Sequence, residues 1–491
     1  SFIVHNEVDD IFVVVEPFDK EEEKKLDARQ ISDILRPGHN VSKKLKGYEY
    51  RPQQLEMITE ICHAFNQSKI SVIEAGTGVG KSLAYLIPAV YWAVTNKEKC
   101  VISTNTINLQ EQLIHKDIPF LQSVLDISFK AVLVKGRNNY VCLRKIADIE
   151  REPALNINPE EANEIDLIIQ WSKVTSDGSK SDLNFIPRFD VWDKVGSESD
   201  TCTRAKCLFF KTCFVNKARR EANKANVLVV NHYLLFSDLS MRSMGMDIAV
   251  LPPYKRLILD EAHHIEDVAT NYFGGGITRA GISRILSRLY QHRIEGKAKG
   301  YFIGLKSKIL KIQSQINDPV LEEVLKKIDA ELIPGIDIVN QYNDDAMESL
   351  YNLVQTESRD NYNETRLRIK PQVKKNALWE STITEKCSDL SYQLKKFADR
   401  VKKAIQQLEK CGISFDDKMI SLLIDIEAQL NRLLGARDVI ESVLFEEDNE
   451  FVRWLETKSQ KTKNITRLRI SPLDIGRSEE RRVGKECVSE C

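Results

Sequence analysis

Residues 74–82 read Glu-Ala-Gly-Thr-Gly-Val-Gly-Lys-Ser, between a short apolar run at 70–73 and a helical pattern that begins at 82–86. Strand, glycine-rich turn and helix in that order call for a parallel α/β sheet, because crossovers between parallel strands carry the helices. Gly76, Gly78 and Gly80 let the backbone turn tightly and aim its N–H groups at phosphate oxygens, and the helix N-terminus adds partial positive charge. Ala75, Thr77 and Val79 complete the cradle, with Ala75 standing where the strict pattern has glycine. Lys81 is placed to reach the terminal phosphates and Ser82 to ligate magnesium.

A second apolar run, Leu257, Ile258 and Leu259, delivers Asp260 and Glu261 to the end of a buried strand. Open parallel sheets gather ligands at that edge. Asp260 is expected to hold Mg2+ and Glu261 to orient or deprotonate the attacking water, since phosphoryl transfer is mainly positioning and charge neutralisation. His263 is expected to couple that site to its surroundings. An acidic pair alone is more often a turn or a helix cap. Together with the upstream loop it makes an ATP-hydrolysis site.

The 491 residues suit about three domains. Net charge is −1, so nucleic-acid contact has to come from local patches. Two exist: four Lys/Arg and no acid from Lys135 to Lys145, and seven against Glu221 alone from Thr201 to Lys224. No secretory signal opens the chain, and the longest apolar stretch, at 83–94, is too short to span a bilayer and contains Pro88. A cytoplasmic protein without a membrane partner is expected, with thiols reduced or metal-bound. Residues 477–491 look like a translated sequencing adapter, and the start at Ser1 adds to the expectation of a fragment continuing past Gly476 in nature.

Setting aside Cys487 and Cys491, eight cysteines remain. Cys142, Cys202, Cys207 and Cys213 lie between the two ATP motifs, among basic and polar residues. Their spacing lacks the paired C-x2-C knuckles of most zinc sites, and four thiolates with one distant member suit an iron–sulfur cube; zinc is the alternative.

The ordered set Arg51-Pro52-Gln53-Gln54, the 74–82 loop, Ser103-Thr104-Asn105-Thr106, Lys135 to Cys142, Val230-Asn231-His232-Tyr233-Leu234-Leu235 and Asp260 to His264 resembles the XPD/DinG family of iron–sulfur superfamily two DNA helicases, most closely its bacterial DinG branch. The resemblance runs over about residues 45–476. It implies a RecA-like motor domain with two insertions, an iron–sulfur domain and a mostly helical Arch domain. It implies a four-iron, four-sulfur (4Fe-4S) cluster on Cys142, Cys202, Cys207 and Cys213, and adenine recognition near Arg51 and Gln54. Single-stranded DNA is expected to contact Ser103, Thr104 and Thr106. Arg144, Lys145, Arg204 and Lys206 beside the cysteines would form a basic wedge suited to phosphates.

Domain boundaries follow: a lead-in at 1–44, motor segments at 45–136 and 222–268, the cluster domain at 137–221, the Arch at 269–450 and a return to the motor at 451–476. Leu390, Leu394, Phe397, Val401, Ile405 and Leu408 form one helical stripe, and Leu423, Ile426, Leu430 and Leu433 another. The second motor domain with its arginine finger would follow Gly476. The chain as given is therefore expected to bind ATP and DNA weakly and to turn over negligibly. The expected parent is a monomeric 5′ to 3′ helicase acting on single-stranded and forked or structured duplex DNA. The alternatives are a redox-responsive nucleic-acid-binding module and an ATP-modulated nuclease.

Overall fold

The computed structural model describes residues 23–76, 78–151, 159–243, 249–292, 298–357, 364–411, 413, 415–447, 449–459 and 464–473. Thr77, the lead-in before residue 23 and the adapter-like tail lie outside the described residues. The chain divides into two compact units, one of residues 1–139, 211–272 and 479–491, the other of residues 140–210 and 273–478. Among the described residues no helix is long and apolar enough to cross a membrane.

In the first unit, β1 (Cys100–Thr104), β2 (Ala131–Leu133), β3 (Val227–Asn231) and β4 (Arg256–Leu259) form a sheet in the order β2-β3-β1-β4. Every pair is parallel. Successive residues face opposite sides: Cys100, Ile102, Val227 and Val229 join a core with Ile58, Leu86 and Trp92, while Val101, Leu228 and Val230 join Leu234, Leu235 and Leu251. A parallel sheet has to be covered on both faces. The helices Pro52–Gln67 and Lys81–Thr95 cover the first. This is the α/β parallel-sheet architecture expected of a RecA-like motor domain.

One expected strand is missing. Residues 69–76 carry no regular structure, and Ile70 and Val72 are 91% and 94% exposed. A strand persists only where its N–H and C=O groups meet a neighbour, and no described strand pairs with this run. The loop's geometry is therefore set from its C-terminal side, by the helix that starts at Lys81.

In the second unit both expected stripes are buried in a single core. They lie on the helices Thr384–Lys410 and Asp417–Leu444, the latter capped by Asp416, whose carboxylate accepts the Met419 N–H at 2.8 Å. On the helix Ile333–Glu357, a Cβ added at Gly335 would come within 3.0 Å of Phe397 Cδ2, so this glycine lets the Phe397 ring approach the backbone. Phe397→Ala is expected to cost about 3–5 kcal/mol in chemical denaturation. A loss under about 1 kcal/mol would mean that the stripe is not a packed core.

The strand-like stretches near 451–458 and 465–472 also form, but with different partners from those expected. β5 (Gly275–Thr278), β6 (Glu364–Arg368), β7 (Phe451–Lys458) and β8 (Ile465–Pro472) make an antiparallel sheet in the order β5-β8-β7-β6. Residues 451–473 thus do not return to the parallel sheet. Leu455, Leu468 and Ile470 join the helical core instead, because alternation buries one face of the hairpin without specifying which helices cover it.

Candidate functional site

The loop that ends at Lys81 depends on two left-handed glycines, Gly78 at φ +84° and Gly80 at φ +86°. Side chains on the helix Pro52–Gln67 and just before it hold their carbonyls: Arg51 Nη1 donates to Gly78 O, and Gln54 Nε2 donates to Gly80 O at 3.1 Å. A Cβ at Gly80 would collide with Gln54 Nε2. Arg51 and Gln54 therefore secure the phosphate-side loop here, whatever else they recognise. Gly76 is exposed and a Cβ there would meet nothing within 4 Å, while Ala75 and Val79 are half-buried.

Lys81 heads its helix, and its Nζ lies 3.2 Å from Glu261 Oε1. Glu261 sits at φ +53°, left-handed backbone that non-glycine residues rarely adopt, and its other oxygen is 3.5 Å from His263 Nδ1. Asp260 is fixed from two sides. Its N–H donates to the Ser103 carbonyl at 2.8 Å, and its Oδ2 accepts from Tyr85 Oη at 3.3 Å. Burial, and then the neighbouring Glu261 charge, hold the Asp260 carboxyl above its ordinary value. Burial and the Asp260 charge also push the Tyr85 phenol up, so Tyr85 remains a donor. The hydroxyl of Ser82 and the carboxylate of Asp260 are hard oxygen donors of the kind magnesium takes. Lys81, the cation expected to meet phosphate, is paired with Glu261 in this structure.

The segment expected to meet DNA is partly buried. Ser103 and Thr104 are 0% exposed at the end of β1, and the Ser103 hydroxyl lies 2.7 Å from His232 Nδ1. They cannot present side chains to a nucleic acid in this arrangement. Thr106 is exposed, and its hydroxyl accepts the Leu109 N–H at 3.2 Å to cap the helix Ile107–Gln112. Burial lowers His232 from its ordinary value. Tyr85 and His232 had no assigned role in the sequence. Tyr85 could have been noticed one helical turn after Lys81, whereas His232 needed the fold.

The basic wedge is corrected for two of its members. In the second unit Arg144 and Lys145 are 8% and 7% exposed. Arg144 makes a bidentate pair with Asp425 at 2.9 and 3.1 Å, and Lys145 Nζ meets Glu198 at 2.6 Å. Side chains so buried and paired cannot also contact phosphates. Arg204, at φ +51°, and Lys206 are exposed. Glu198 also meets Arg288 at 3.3 Å and Arg432 at 2.9 Å. Burial works to raise its carboxyl, but Lys145, Arg288 and Arg432 override this and hold it at about 2.

Cys142, Cys202, Cys207 and Cys213 are all free, half-buried thiols. Cys142 precedes the helix Leu143–Arg151, and Cys213 is the N-cap of Phe214–Asn223, positions that favour thiolates. Burial raises the Cys142 thiol, while the Lys145 and Arg144 N–H groups and charges oppose that rise. As donors they fit a thiolate-bound cluster. Among the described residues no group of three or more His, Cys, Asp or Glu stands together to hold a metal ion, and Cys213 belongs to a different compact unit from the other three.

Comparison with known proteins adds lineage to this geometry. The DEAD/DEAH box helicase family matches residues 51–176. The chain is 33% identical over 250 residues to the ATP-dependent DNA helicase YoaA of Haemophilus influenzae, covering 51% of this chain and 38% of that protein. It is 36% identical over 262 residues to the ATP-dependent helicase DinG of Mycobacterium tuberculosis, covering 50% and 39%. To the 3′-5′ exonuclease DinG of Bacillus subtilis it is 25% identical over 439 residues, covering 89% and 44%. The chain thus spans well under half the length of these curated relatives.

Proposed function

Because the chain belongs to the DinG-like family of DEAD/DEAH-box helicases, we propose that the intact protein is an ATP-driven, cytoplasmic, monomeric DNA helicase moving 5′ to 3′ on single-stranded DNA. The observation that carries this is the meeting of Lys81, Asp260 and Glu261 at the C-terminal edge of a parallel sheet. Lys81 would bind the terminal phosphates, Ser82 and Asp260 would hold magnesium, and Glu261 would orient water. When bound, magnesium supplies charge neutralisation at the phosphates. The test is strand separation on tailed duplexes. Unwinding is expected with a 5′ tail, and unwinding with only a 3′ tail would reverse the polarity.

We also assign Cys142, Cys202, Cys207 and Cys213 as ligands of a 4Fe-4S cluster, with Arg204 and Lys206 as exposed phosphate contacts beside it. The support is four free thiols, two of them at helix N-termini. Anaerobically purified protein is expected to carry about four iron and four acid-labile sulfide per chain, both lost in Cys202→Ser. Zinc in their place would remove the cluster and leave the ATPase reading intact. A nuclease reading draws on the similarity to the 3′-5′ exonuclease DinG of Bacillus subtilis. It predicts DNA degradation that persists in Glu261→Gln, whereas the helicase reading predicts loss of all ATP-driven activity.

A further inference from the structure

The strand order places three chain segments side by side at one sheet edge. β3 ends at Asn231 and runs straight into His232, β1 ends at Ser103 and Thr104, and β4 leads into Asp260. Ser103 stands between the other two. Its hydroxyl meets His232 Nδ1 at 2.7 Å, and its carbonyl accepts the Asp260 N–H at 2.8 Å. Three residues further on, Thr106 caps an exposed helix.

His232 is 1% exposed and so cannot itself touch nucleotide or nucleic acid as placed. No close hydrogen-bond partner meets its Nε2, but the Asp260 backbone acts on the His232 ring and the Thr104 side chain acts on the Asp260 carboxylate. Buried polar atoms are nearly always paired. His232 and Thr104 therefore both bear on Asp260, the acidic residue that follows β4.

We propose that His232 is a positioning residue that couples the nucleotide site to the segment carrying Thr106. A shift of Asp260 on nucleotide binding pulls on the Ser103 carbonyl, and the hydrogen bond between Ser103 and His232 decides whether β1 moves with it. Coupling of this kind requires that one ligand change the affinity of the other, reciprocally. The inference rests on the helicase reading, with single-stranded nucleic acid as the second ligand.

The test is the affinity of the protein for a fluorescent ATP analogue with and without saturating oligothymidylate. Wild type is expected to show a shift of about fivefold or more. His232→Ala is expected to bring the shift within about twofold of none, with each ligand's separate affinity unchanged. His232→Asn, which keeps a polar atom near the Nδ1 position, is expected to restore coupling, and His232→Gln, which places its amide near Nε2, is not. If the alanine variant does not fold, the Asn and Gln pair decides. Equal coupling in Asn and Gln, or full coupling in His232→Ala, overturns the proposal. So does a loss of nucleotide affinity itself, which would mark a structural role only. Wild type that binds both ligands without a shift removes the relay alone. Wild type that binds neither removes the helicase reading, and the relay with it.

Discussion

Glu261→Gln in the intact protein is expected to lower DNA-stimulated ATP hydrolysis by about 10² to 10⁴-fold, the contribution of a positioned general base, while leaving ATP affinity nearly intact. Glu261 sits in left-handed backbone at the end of β4 with its carboxylate 3.2 Å from Lys81 Nζ. Glutamine preserves the shape and loses the charge, so the proton-accepting role disappears and Lys81 remains free to meet phosphate. Lys81→Ala is expected to behave differently, losing nucleotide affinity first. The Asp260 carboxyl lies above its ordinary 3.8, first through burial and then through the Glu261 charge. A raised carboxyl protonates earlier as pH falls, so magnesium-dependent nucleotide binding is expected to fail at a higher pH than an ordinary aspartate would allow. In Glu261→Gln that onset should move down. Retention of wild-type turnover in Glu261→Gln would remove it from the chemistry.

Glu198→Ala is expected to destabilise the second unit by about 3–5 kcal/mol, the usual result of removing one partner from a buried ion pair. The carboxylate lies among Lys145, Arg288 and Arg432 at 2.6, 3.3 and 2.9 Å. Its removal takes away the carboxylate that Lys145 meets and leaves Arg288 and Arg432 with the carboxylates of Asp193 and Asp200 alone. Glu198→Gln keeps the shape and should cost less. The carboxyl is held at about 2, below its ordinary 4.5, by those cations against the opposing effect of burial. The folded state therefore binds this proton less readily than the unfolded chain does. The stability it contributes is full above about pH 4.5 and is lost as pH falls toward 2. Chemical denaturation followed across that window should show a slope in wild type that is absent in Glu198→Ala. Equal stability of the two proteins at neutral pH would mean that the cluster is solvated.

Lys145 belongs to this cluster and Arg144 to a buried pair with Asp425, rather than to a DNA-facing wedge, and the reason is distance along the chain. The Asp425 that pairs with Arg144 lies 281 residues away. A run of basic residues looks the same in sequence whether its partners are phosphates or carboxylates folded in from elsewhere. Ser103 and Thr104 are similar: they belong to a recognisable run, but three parallel strands had to assemble before their burial and the bond to His232 could exist.

The sequence by itself determined what is local. The glycine-rich loop and Lys81 lie within nine consecutive residues, the acidic pair ends an apolar run, and the stripes at 390–408 and 423–433 repeat at helical spacing, as their burial confirms. Such features follow from backbone sterics and side-chain period, which neighbours in the chain fix. Only the tertiary structure decided that residues 70–73 have no strand to pair with among the described residues, that β7 and β8 close an antiparallel sheet rather than rejoin the parallel one, and that Glu198 gathers three cations. Each of these depends on which distant backbone or charge satisfies a hydrogen bond or an ion, and no local pattern records that choice.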